Sequence, residues 1–108
     1  MRLLDLSAEQ MLEELEARQE AAIEAEAKEA RAKASLAATE GAVIDELRRQ
    51  GFPVEIAKRK AQGHDSWREA HSVYLEVWVA FKAAQAAAQR ASKALELWRT
   101  EKADARKV

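Results

Sequence analysis

The sequence has no cysteine, one proline and three glycines among its 108 residues. Without a thiol, disulfides, thiolate catalysis and Cys-ligated zinc or iron–sulfur sites are all excluded. Large apolar residues are scarce as well: Leu, Ile, Val and Phe together number 21, against 25 alanines. Alanine carries no side-chain entropy cost but buries little area, so this balance favours long helices over a thick globule. No apolar run approaches the ~20 residues of a membrane span. The opening Met1-Arg2-Leu3-Leu4-Asp5-Leu6 is too short and too acidic for a signal peptide. The expectation is one cytoplasmic domain over residues 1–108, with no membrane contact.

Signatures of chemistry are also missing. There is no Gly-rich phosphate loop, no nucleophile elbow and no His-Glu-x-x-His. Carboxylates are numerous but sit in solvated runs such as Glu13-Glu14-Leu15-Glu16, and no pair is set apart in contrasting environments as acid–base catalysis requires. The two histidines, His64 and His71, are seven apart, too far for one metal without another element. They read as a loop residue and a polar-edge residue. No enzyme, metal or cofactor is expected.

What is present is helix punctuation. Ser7 with Gln10 matches a capping box, and Leu6 with Met11 occupies the flanking staple positions, so a helix starts near Ala8. A stripe follows through Leu12, Leu15, Ile23, Ala27, Ala30, Ala34, Ala37, Gly41 and Ile44. Its steps average near 3.6 and are expected to mark the packed face. Gly41 is either a close-contact point or a tolerated weak spot. The helix runs to about residue 50, roughly 64 Å at 1.5 Å per residue. Gly51 then stands where a left-handed C′ residue is wanted and Pro53 follows, with Leu47 and Phe52 in the C3 and C″ slots of a Schellman ending.

A short helix is expected over 53–62, with Val54, Ile56, Ala57 and Ala61 as its apolar set and Gly63 as its stop. Ser66 with Glu69 forms a second capping box, opening a last helix over 67–106. With Ala70 at heptad position a, positions a, d and e read Ala70, Val73, Tyr74, Val77, Ala80, Phe81, Ala84, Ala87, Ala88, Ala91, Ala94, Leu95 and Trp98. Thirteen consecutive slots without a charge identify an apolar face. The fold class is therefore all-α: a long antiparallel helical hairpin with a short intervening helix.

One stretch exceeds what a hairpin can cover. From Val73 to Phe81 the helix is apolar on nearly every side, and such a helix is normally buried all round. The short helix and a second copy of the chain are both expected to cover Trp78 and Leu75. A thin core with no disulfide points to self-association as a dimer or higher helical bundle. Tyr74, Leu75, Trp78, Val79 and Phe81 are the candidate protein interface, for the chain itself or another protein.

Net charge is −1, but it is unevenly spread. Residues 1–46 carry 12 acidic and 5 basic side chains, while 47–63 carry 5 basic and 1 acidic. Arg48, Arg49, Lys58, Arg59 and Lys60 gather at the hairpin tip as a candidate nucleic-acid contact; Arg48 and Arg49 also complement the carbonyl end of the first helix.

The alanine-rich last helix, closing on Trp98-Arg99-Thr100-Glu101-Lys102-Ala103-Asp104-Ala105-Arg106, resembles small helical accessory proteins of bacteriophages and prophages over about the last 40 residues. That resemblance implies an accessory or assembly role through protein binding, in the host cytoplasm, and transfers no functional residues. Gly51-Phe52-Pro53 departs from the Trp-x-Gly turn of secreted helical-hairpin substrates, which sets that family aside.

Overall fold

A computed structural model describes residues 7–106. They form α1 (Ala8–Arg49), α2 (Val54–Ala61) and α3 (Asp65–Arg106). The long helices α1 and α3 pack against each other with α2 between them, an all-α helical hairpin. Two compact units divide it, and both long helices contribute to each: the residues up to Ala25 with those from Phe81 onward, and Glu26–Ala80. Among the described residues, no helix is long and apolar enough to cross a membrane.

The helix ends follow local chemistry. Ser7 Oγ accepts from the Gln10 amide at 3.0 Å, and Gln10 Oε1 accepts from the Ser7 amide at 2.9 Å, a reciprocal capping box. Met11 is buried, whereas Leu6, its expected staple partner, lies outside the described residues. At the other end of α1 the Gly51 amide donates to the Arg48 carbonyl at 3.0 Å and the Phe52 amide to the Leu47 carbonyl at 3.2 Å. These are the two bonds of a Schellman motif, and Gly51 has φ 102°.

The start of α3 differs from expectation. Asp65 is already helical, and Ser66 lies inside the first turn. The cap is His64: its Nδ1 accepts from the Ser66 amide at 3.2 Å, and its carbonyl accepts from the Arg68 amide at 3.0 Å. The Ser66–Glu69 pair has capping-box spacing but sits two residues too late. An imidazole nitrogen two residues before Ser66 reaches the same orphan amide that a capping hydroxyl satisfies.

The packed face of α1 is not the 3.6-period stripe. Ala27, Ala30, Ala34, Ala37 and Gly41 are exposed, as are Leu12 and Ile23. Of that stripe only Leu15 and Ile44 are covered; the longer covered row is Met11, Leu15, Ala22, Ala25, Glu29, Ala32, Leu36, Thr39 and Val43, spaced in alternating steps of three and four except across exposed Arg18, with Ala8, Glu40 and Leu47 half-buried outside it. This is a heptad seam. Between Ala25 and Val43 the two faces differ in size: the seam holds Leu36 and Val43 where the stripe holds only alanines and Gly41, so burying the seam there removes more apolar area. The seam of α3 runs Trp67, Ala70, Tyr74, Val77, Phe81, Ala84, Ala88, Ala91, Leu95, Trp98 and Lys102 in the same alternation. Two of the expected thirteen slots, Val73 and Ala80, are exposed.

In the unit spanning Glu26–Ala80, Ala57 and Ala61 of α2 are fully covered and Val43 is buried. One turn apart on α2, the two alanines share a face, while Glu55, Lys58, Arg59 and Lys60 turn outward. In the other unit Met11 and Leu95 are the buried apolar residues, and Glu14 and Arg18 of α1 share a shallow groove with Ala87, Arg90 and Ala91 of α3.

The glycines separate into opposite roles. Nothing approaches within 4 Å of a Cβ built on Gly41, so it makes no close helix contact. Gly41→Ala raises stability by about 1 kcal/mol, because exposed mid-helix glycine carries only an entropy cost. Gly51→Ala lowers it by about 1 kcal/mol, because a left-handed φ strains any residue with a Cβ. Urea unfolding of the two variants checks the opposite signs.

Candidate protein-binding surface

The stretch Val73–Phe81 lies in α3, so its side chains fan out at about 100° per residue. Tyr74, Val77 and Phe81 fall on the seam and are half-buried. Leu75, Trp78 and Val79 fall outside it and are 46%, 41% and 59% exposed. The five candidate interface residues therefore divide. Tyr74 and Phe81 pack within the chain, and the other three form an outward face. Helix α2 leaves these three exposed, contrary to the expectation that it would help to cover them. Val73 is exposed too, on a different side of α3.

Tyr74 marks the edge of this face and ties α3 to α1. Its hydroxyl donates to Glu29 Oε1 at 3.0 Å, both residues occupying seam positions. A polar pair in a mainly apolar seam pins register, because sliding by one step would leave both groups unpaired. The hydrogen bond to the Glu29 carboxylate raises the Tyr74 phenol above its ordinary value of 10.0, with burial and the Glu29 charge adding in the same direction. A raised folded-state value stabilises the fold fully below pH 10, and that contribution is lost as pH rises through the folded value. Tyr74 is the sole tyrosine, so titration of the phenolate absorption reports it directly. The expected midpoint lies above 10 and moves back toward 10 in Glu29→Gln.

N-terminal to the face, Trp67 and His71 stack with ring centroids 4.6 Å apart and planes 11° from parallel. The Trp67 Nε1 is buried without a hydrogen-bond partner. Both histidines thus have structural uses, His64 as a helix cap and His71 as a stacking partner. No cluster of three or more metal-ligating side chains occurs among the described residues. The stack and the cap were not foreseen from sequence; only the i, i+4 spacing of Trp67 and His71 signalled one of them.

The five basic candidates are all exposed. Arg48 and Arg49 occupy the last turn of α1, and Lys58, Arg59 and Lys60 the last turn of α2, where cations complement the helix carbonyl ends. Arg49 pairs with Glu46 at 3.0 Å, and Lys60 Nζ lies 4.8 Å over the Phe52 ring. Lys58 and Arg59 line a shallow groove with Glu40, Ile44, Glu55 and Gln62. Carboxylates are thus interleaved with the cations.

No protein-family model matches the chain, and neither a curated protein nor a solved structure matches it.

Proposed function

We propose that this chain works by binding protein, itself included, and carries out no catalysis: a helical, oligomerising accessory or assembly factor of the cytoplasm, of the kind that small phage-encoded helical proteins supply. The observation that carries the reading is the outward face of Leu75, Trp78 and Val79 on a chain whose own core is thin. Contiguous exposed apolar patches mark interaction surfaces, and tryptophan is among the residues enriched at interface hot spots. Sedimentation at micromolar concentration tests it. The expected mass is at least twice the 12.1 kDa of one chain, falling to one chain in Leu75→Glu/Val79→Glu. A parent protein that sediments as a single chain overturns self-association.

A second reading rests on Arg48, Arg49, Lys58, Arg59 and Lys60, all exposed within the unit Glu26–Ala80, as a contact for a nucleic-acid backbone. Glu40, Glu46 and Glu55 beside them weaken that field, which places this reading second. Under it, a mobility shift with DNA or RNA at low salt disappears on charge reversal at Arg49, Lys58 and Arg59. Self-association is unchanged by the same substitutions.

A further inference from the structure

Toward its C-terminal end α3 carries a basic hollow. Leu97, 52% exposed, borders it together with Ala86, Gln89, Arg90, Lys93 and Ala94. At 100° per residue Ala86, Arg90, Lys93 and Leu97 fall within about 60° of one another. Alanines form the floor, the two cations and the leucine rise beside it, and no carboxylate lines it.

Helix α1 carries the opposite pattern in the same compact unit. Leu12 and Ile23 are exposed, and exposed Glu9, Glu16 and Glu20 fall on the face they share. The two strips match in length. Leu12 to Ile23 and Ala86 to Leu97 are each a step of eleven residues, about 16 Å, which brings both ends back to one side of the helix. They match in charge as well. Residues 9–25 carry six carboxylates against Arg18 alone, while 82–99 carry four cations against Glu96 alone.

The hairpin does not use this complementarity internally. Both strips lie off the seams that join α1 to α3. Among the described residues, Glu9, Glu16, Glu20, Arg90 and Lys93 have no ion-pair partner, and Arg18 is held by Glu14 of its own helix. Opposite charges of equal spacing are thus presented on separate faces of one chain, where only another molecule can bring them together.

We infer that the Ala86–Leu97 hollow is a docking site for the α1 helix of a second copy. Leu12 and Ile23 lie along its floor, and Glu16 and Glu20 meet Arg90 and Lys93. Donor and acceptor strips differ, so the contact is heterologous. Its footprint, about 16 Å by the ~10 Å width of a helix, is well below the ~800 Å² that each partner gives to a standard stable interface. It therefore adds to the Leu75–Trp78–Val79 face and does not replace it. The inference rests on the reading of self-association above and names a second pair of surfaces that carries it.

Charge exchange tests the pairing. Arg90→Glu/Lys93→Glu and Glu16→Lys/Glu20→Lys are each expected to weaken self-association about tenfold in sedimentation at low salt, because attractive pairs become repulsive. An equimolar mixture of the two variants is expected to regain the parent's affinity, since each supplies the charge that the other's strip now needs. Circular dichroism checks the helicity of both, and recovery in the mixture itself requires folded chains. Parent-like affinity in either variant alone, or a mixture no tighter than its components, overturns the docking site while leaving self-association standing. If Arg90→Glu/Lys93→Glu associates like the parent but loses a synthetic acidic amphipathic peptide that the parent binds, the hollow takes a foreign helix and the second copy is overturned as its occupant. A parent that sediments as one chain overturns both readings.

Discussion

Leu95→Ala is expected to lower the unfolding free energy by about 3 kcal/mol, within the range for deleting a buried leucine. Leu95 is 5% exposed, and Met11 is the other buried apolar residue of its unit. Neighbouring seam positions Ala84, Ala88 and Ala91 are small, so the vacated space has few side chains able to move into it. For a chain of this length total stability is on the order of 5–15 kcal/mol, so the loss is a large fraction of the whole. The contrast with Leu97→Ala makes the result decisive. Leu97 lies two residues further along the same helix and is 52% exposed, and its truncation is expected to cost less than about 1 kcal/mol. Urea unfolding measures both. Equal midpoints for the two variants would show that Leu95 does not anchor the seam.

Enlarging the alanines of α2 is the second large effect. Ala57 and Ala61 are both fully covered, one turn apart on a helix of eight residues. Leucine has nearly the helix propensity of alanine, so Ala57→Leu and Ala61→Leu leave intrinsic helicity almost unchanged. What changes is volume at a site with no room for it, and overpacking of that kind costs about 2 kcal/mol. A helix this short has too little helicity of its own to persist undocked. Hydrogen exchange over Val54–Ala61 is therefore expected to accelerate in either variant, together with a lower unfolding midpoint. Unchanged protection of α2 would mean that its alanine face is not what holds it. The same changes at exposed Ala34 or Ala37 are expected to be nearly neutral, which separates volume from composition.

Legibility tracked the range of the interaction. The capping box at Ser7 and Gln10 and the Schellman ending at Gly51 use groups a few residues apart, so both were readable as strings and both are present in the structure. The second capping box misled for the same local reason. Ser66 and Glu69 have the right spacing, but His64 satisfies the orphan amide first. The packed face of α1 could not be read from apolar spacing, because its seam passes through Arg18, Glu29 and Thr39. A search for apolar positions steps around those three and settles on the alanine stripe of the opposite side.

Helix content, helix ends and the charge-free face of α3 were determined by the chain alone, since propensity and capping act within one or two turns. Tertiary structure decided which of two regularly spaced stripes on α1 is buried, that Glu29 answers Tyr74, and which part of Val73–Phe81 turns outward. Those choices depend on the size and polarity of what another helix presents at each seam position, and no segment carries that information by itself.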